Sequence, residues 1–173
     1  MPRAFAVGND QLVEAERLIR DRMACLDLDF PALAAVSNIF RAATAVRNHM
    51  EREVLAGHTL SWSAFVVLFV LRVFGRQDSR DLAAEAGITG GTLTGVLDTL
   101  ERKGFVERRA HPDDRRRVVV DATPAGLTAV DEIMPVFNEQ ERKVTRDLAD
   151  DETAELARLL RVVTRSAEGP DRR

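Results

Sequence analysis

The densest chemistry in this sequence is a row of three guanidinium groups. Arg115, Arg116 and Arg117 stand together in "HPDDRRRVVVDATPAG", directly after Asp113 and Asp114. A guanidinium presents a planar fork of N–H donors that fits carboxylate and phosphate oxygens two at a time, and a neighbouring Asp can hold that fork in one orientation. The chain carries a formal net charge of -3, so solubility does not call for the triplet. From Arg72 to Arg117 ten basic residues meet eight acidic ones, which leaves the rest of the chain distinctly acidic. A basic middle in an acidic chain points to a polyanion. A second group is made of small residues, Thr89, Gly91, Thr92, Thr94 and Gly95 in "TGGTLTG". Their hydroxyls can donate to phosphates or base edges, and glycines let a backbone come close to another body.

Other chemistries find little here. His49, His58 and His111 show no metal-ligand spacing and no partnered nucleophile. "GITGGTLTG" lacks the Gly-Lys-Ser/Thr ending of a phosphate loop. No catalytic residue, metal ligand or cofactor is therefore expected. Cys25 is the only cysteine, so it has no internal disulfide partner, and the acidic "CLDLD" around it disfavours a thiolate. It reads as an incidental thiol. The longest apolar run, Ala64 to Leu71, falls far short of the roughly 20 residues that span a bilayer. No membrane association is expected, and a cytoplasmic location is.

These groups need elements to position them. The 5% aromatic and 31% charged content of the 173 residues favours helices over a sheet sandwich. Leu12, Ala15, Leu18, Ile19, Met23 and Leu26 recur at helical spacing and predict a first helix over 10–26. Pro31 suits the first turn of a second helix, about seven turns long, that stops at Gly57. "LSWSAFVVLFVL" is apolar almost all round, the mark of a buried helix closed by Gly75. A short helix over 78–86 follows, with Asp78 as its cap. Another runs from a Thr89 cap to Gly104, with Leu93, Val96, Leu97 and Leu100 as its apolar stripe. Two short helices joined by a glycine turn form a helix-turn-helix. "FVERRA" and "RRVVVDA", separated by "HPDD", predict a hairpin. Thr123-Pro124 opens a long helix that Pro135 is expected to kink, and a last helix begins near Asp150 and frays over "SAEGPDRR".

The fold class predicted is therefore mainly α with a small β-hairpin, a winged helix-turn-helix lobe joined to a helical dimerisation domain. In such a lobe the second helix enters the major groove of double-stranded DNA by its N-terminal end, while the hairpin tip reaches phosphates or the minor groove. "DLAAEAGITGGTLTGVLDTLERKGFVERRAHPDDRRRVVVDATPAG", residues 81–126, resembles the helix-turn-helix and wing signature of the MarR family of bacterial transcription regulators, notably in Leu100-Glu101, Gly104, Glu107-Arg108, Asp114-Arg115-Arg116, Thr123 and Gly126. The resemblance implies a homodimer on a palindromic operator, more often repressor than activator. It divides the chain into an N-terminal extra helix (1–30), a dimerisation region (31–57 and 124–167), a winged lobe (58–123) and a flexible tail (168–173). DNA contacts are expected from Arg76, Arg80, Thr89, Gly91, Thr92, Thr94, Gly95, Asp114, Arg115 and Arg116. The family often has an arginine about where Gly95 stands, so more of the specificity would lie in DNA shape and in the wing. The resemblance further implies release by a small aromatic or phenolic effector, for which Arg41, Arg47, His49 and Trp62 are the candidates. The alternative is a winged-helix protein-interaction module with no specific operator.

Overall fold

The computed structural model describes residues 9–111, 114 and 117–169. Seven α-helices and a small sheet follow one another in the order α1 (Asn9–Arg22), α2 (Phe30–Glu53), a 3-10 turn (Leu55–His58), α3 (Trp62–Phe74), β1 (Gln77–Asp78), α4 (Ser79–Glu85), α5 (Gly90–Arg102), β2 (Val106–Ala110), β3 (Val118–Ala122), α6 (Pro124–Thr145) and α7 (Asp150–Glu168). The chain divides into two units, Met1–His49 and Met50–Arg173.

The first unit holds α1 and most of α2. The Asp29 carboxylate accepts from the Ala32 N–H at 2.9 Å and so ties down one of the free donors at the start of α2. Asn38 reaches across to Glu16 at 2.7 Å, which fixes α1 against α2. No side chain between residues 11 and 49 is buried.

The second unit is built around α3. Phe65, Val67, Leu68 and Leu71 of α3 are buried together with Leu82 of α4, Leu93, Leu97 and Leu100 of α5, Val120 of β3 and Val130 and Ile133 of α6. Ser61 caps α3 by accepting from the Ala64 N–H. Gly75 ends it at a φ of 71°, a left-handed value that suits glycine. The apolar face of α3 is wider than the core it meets, because Val73 and Phe74 remain 53% and 60% exposed.

The sheet has three strands in the order β1-β3-β2, all antiparallel. The hairpin over β2 and β3 is present, and β1 adds a third strand through Gln77↔Val120 and Asp78↔Val119. Two residues with no apolar alternation give no strand signal in the sequence; their partners, 43 and 41 positions on, make them one. α6 is helical through Pro135 to Thr145. One further expectation changes. α7 is still helical at Ser166, Ala167 and Glu168, where the Ser166 hydroxyl donates to the Val162 carbonyl at 3.1 Å, so the last helix outruns its predicted fray.

Candidate nucleic-acid interface

α5 owes its position to its two ends. At its start, Thr89 Oγ1 accepts from the Thr92 N–H at 3.2 Å, as the sequence predicts for a cap, and the two threonine hydroxyls pair at 2.9 Å. At its finish, Gly104 turns the chain at a φ of 72°. The Phe105 carbonyl then accepts from the Thr123 N–H at 3.0 Å, and Thr123 Oγ1 donates to the Gly104 carbonyl at 2.6 Å while it accepts from Gly126 N–H at 3.1 Å. A Cβ on Gly126 would lie 2.1 Å from the Phe105 carbonyl oxygen. Glycine is therefore required there by the close approach of two backbones, and α6 begins locked to the end of α5.

The outward surface of α5 is small and polar. Thr89, Gly90, Gly91, Thr92, Thr94 and Gly95 are all exposed. A Cβ on Gly90 or Gly95 would meet nothing within 4 Å, and one on Gly91 only the Thr89 hydroxyl at 3.9 Å. None of the three has a positive φ. Nothing within the described chain therefore requires glycine at these positions, although each glycine in a helix interior costs about 0.5–1 kcal/mol relative to alanine. Thr94 Oγ1 donates back to the Gly90 carbonyl at 3.1 Å, which leaves its oxygen as an acceptor toward solvent. Further along, Arg102 folds onto its own helix, to the Asp98 carbonyl and the Thr99 hydroxyl, both at 3.2 Å. Asp98 is engaged by Arg108 at 2.8 Å. The expected groove face is thus open at its N-terminal half and internally satisfied at its C-terminal half.

Arg108 is a residue whose role the sequence reading missed. Its register opposite buried Val120 puts it on the helix-facing side of the sheet, and from there it binds both Asp98 and Glu101 of α5. The Arg108 hydrogen bond holds the Glu101 carboxyl below the ordinary carboxylate range against a smaller opposing effect of burial. Glu101, and Asp98 after it, push the guanidinium further up in turn. Strand alternation was the available signal, since 108 shares the parity of buried Val106.

The other side of the sheet carries exposed ion pairs. Arg76 pairs with Asp121 at 3.2 Å and Arg109 with Glu107 at 2.6 Å. Asp78 stands at the N-cap of α4 but makes no side-chain cap bond; its carboxylate is paired with Arg117, and its Oδ1 has no hydrogen-bond partner among the described residues. This corrects its predicted role as a side-chain cap. Ser79 Oγ donates to the Val118 carbonyl at 2.9 Å, so α4 is tied to β3 by a side chain, an ion pair and the β1 ladder. At the hairpin end the Asp114 carbonyl accepts from the Arg117 N–H at 2.9 Å and the Arg117 carbonyl from the His111 N–H at 3.0 Å. Arg115 and Arg116, the predicted tip contacts, lie outside the described residues. Arg80 is exposed and makes no ion pair with another described residue.

Of the effector candidates, Arg41, Arg47 and His49 belong to the first unit and Trp62 to the second. Arg41 lines a cavity of about 490 Å³ along one face of α2 with Ser37, Phe40, Thr44, Ala45 and Asn48, and it donates to Asn38 at 3.3 Å. Arg47, six residues on, is exposed on another face of that helix, and half-buried His49 has a partner of its own. Trp62 packs in an aromatic group, 6.1 Å from the Phe137 ring, with Phe65 stacked on Phe137 at 4.8 Å. Among the described residues no group of three or more His, Cys, Asp or Glu could hold a metal, and no helix is long and apolar enough to cross a membrane.

A helix-turn-helix of α4 and α5, seated on α3 and flanked by a β2-β3 wing, is a winged helix-turn-helix. The MarR family model matches residues 60–118, which take in α3, the helix-turn-helix and the wing as far as the first residue of β3. The chain is 36% identical to the uncharacterized HTH-type transcriptional regulator YwaE of Bacillus subtilis, over 82% of this chain and 83% of that one. A mutant MarR from Escherichia coli, solved in complex with operator DNA, superposes with a TM-score of 0.71 at 27% identity, covering 80% of this chain and 99% of that one. Bordetella bronchiseptica BpsR, whose DNA binding is described as regulated by 6-hydroxynicotinic acid, gives 0.70 at 27% identity, over 76% and 98%. The chain belongs to the MarR family.

Proposed function

We propose that this protein is a homodimeric transcriptional repressor that binds a palindromic operator through α5 and the wing and is released by a small aromatic acid. One observation carries the DNA reading. Gly90, Gly91 and Gly95 make the exposed N-terminal half of α5 flat with no internal reason to do so. Close approach to an external surface is what glycine supplies there, and the groove of a duplex fits a helix presented by its N-terminus beside threonine donors. Arg76, Arg80 and the wing residues Asp114, Arg115 and Arg116 would add phosphate and minor-groove contacts. The operator complex of the Escherichia coli relative supports this reading.

The dimer rests on uncovered surface. No side chain of α7 is buried, and Leu156, Leu159, Leu160, Val162 and Val163 are each 39–45% exposed. An amphipathic helix needs an apolar surface to lie on, and a second copy supplies it. For the effector, Arg41 offers a guanidinium beside the exposed Phe40 ring in a cavity of ligand size. The BpsR relative's response to a pyridine carboxylic acid agrees with that chemistry. Arg47, His49 and Trp62 stay candidates, to be tested by single substitution.

The deciding experiment is a salt titration of binding to the DNA upstream of the protein's own gene, competed with random DNA, for wild type and for Arg115→Ala/Arg116→Ala. A specific regulator shows strong preference for one palindromic segment, a steep salt slope and a shallower slope in the variant. Equal weak binding to every fragment would instead leave a winged-helix interaction module. Aromatic acids that release the wild-type complex but not the Arg41→Met complex would identify the effector class.

A further inference from the structure

A second cavity, of about 320 Å³, lies within the Met50–Arg173 unit, away from the outward surface of α5. Its floor is apolar, made by buried Leu60 and Ile133 and half-buried Phe105 and Ala129. Three polar side chains line it as well, His58 at the end of the 3-10 turn and Thr128 and Glu132 on α6. All three are exposed, and neither His58 nor Glu132 makes a hydrogen bond or ion pair with another described residue. Glu132 is the only lining residue with a formal charge.

The wall of this cavity holds the strained backbone of the fold. Thr59, between His58 and Leu60, has φ 52° and ψ 37°, the only left-handed non-glycine residue among those described. Its hydroxyl accepts from Lys103 Nζ at 2.5 Å, and Lys103 is the residue that closes α5. Phe105, on the opposite wall, supplies the carbonyl that joins the end of α5 to Thr123. Strain of this kind, about 1–3 kcal/mol per residue, persists where surrounding contacts hold it and collects at ligand clamps and switch points.

We infer that this cavity is a binding site for a compact aromatic cation, its ring on Leu60, Phe105 and Ile133 and its amidinium or ammonium on the Glu132 carboxylate. A flat apolar floor with one unpaired carboxylate at the rim favours a cation and disfavours the anions that suit Arg41. The site shares no lining residue with the proposed effector cavity, and its occupancy bears on the end of α5 through Thr59–Lys103 and Phe105. Binding can be read without DNA, so its failure is distinct from failure of the operator reading.

The test uses benzamidine and benzoate, the same ring with opposite charge, titrated into the full-length ¹⁵N-labelled protein. Benzamidine should shift the amide resonances of His58, Leu60, Lys103, Phe105 and Ala129 saturably, and benzoate should leave that set unmoved. Glu132→Gln, on an exposed side chain, should weaken benzamidine about tenfold with an unchanged spectrum elsewhere. Ala129→Leu should fill the cavity and abolish binding, while its melting temperature and circular dichroism report an intact fold. Benzamidine that fails to saturate, shifts of equal size with benzoate, or wild-type affinity in Glu132→Gln would each overturn the assignment.

Discussion

Gly95 concentrates the conflict between fold and function. With no neighbour within 4 Å of its would-be Cβ and a helical φ, it gives the chain nothing that alanine would not. Gly95→Ala should therefore raise the free energy of unfolding by about 0.5–1 kcal/mol in urea titrations and weaken operator binding at the same time. Greater stability with unchanged affinity would remove the close-approach reading of α5. Gly126 is the opposite case. Its missing Cβ is the space taken by the Phe105 carbonyl, so Gly126→Ala must push two backbones apart and should destabilise by about 1–3 kcal/mol, an overpacking penalty that thermal melts would register. Thr89 lies between them in effect. Loss of its cap in Thr89→Ala should cost about 1 kcal/mol, and Thr89→Ser, which keeps the accepting oxygen, should recover most of it.

At the scale of elements, Arg108 is the tie between the wing and α5, and its partner makes the tie sensitive to acid. The Glu101 carboxyl titrates below its ordinary range in the folded protein because the charged form accepts from Arg108. The folded state therefore holds fewer protons than the unfolded one around that range. The resulting stability is fully present above the unfolded value and disappears as pH falls through the lower, folded one. Arg108→Met should flatten the dependence of melting temperature on pH as the solution is acidified through and below the ordinary carboxylate range, with a small effect because both groups reach solvent; an unchanged profile would show that the pair adds nothing. Helices, caps and glycine stops such as Thr89, Thr123, Gly75 and Gly104 could be read from the sequence, since their signals are local. β1 could not, because Gln77 and Asp78 become a strand only by pairing with residues 43 and 41 positions away. Nor could the fate of Asp78, which has the residue type of a cap but spends its carboxylate on Arg117. The threonine and glycine surface of α5 was legible from helical periodicity, whereas the packing of Trp62 against Phe137 depended on a helix more than 60 positions away in the chain.

For the whole molecule, α7 and the stretch from 11 to 49 hold long helices that bury no side chain, apolar faces in need of a cover, and in the proposed dimer a second copy supplies it. Leu160→Glu should lower the sedimenting mass toward that of one 19.2 kDa chain and make the melting temperature insensitive to protein concentration, where wild type melts higher as it is concentrated. Wild-type melting independent of concentration would argue against an obligate dimer. The stripes of α6 and α7 announce this need in sequence, but which surface meets which depends on a second chain. The strand order has a last consequence, for how the protein behaves when crowded. β3, the apolar strand, is central, and the two edges are a two-residue β1 and a β2 reading Glu107-Arg108-Arg109. An edge that short, and one that charged, offers a poor template for a foreign strand. The protein can thus reach high local concentration without its sheets zipping together.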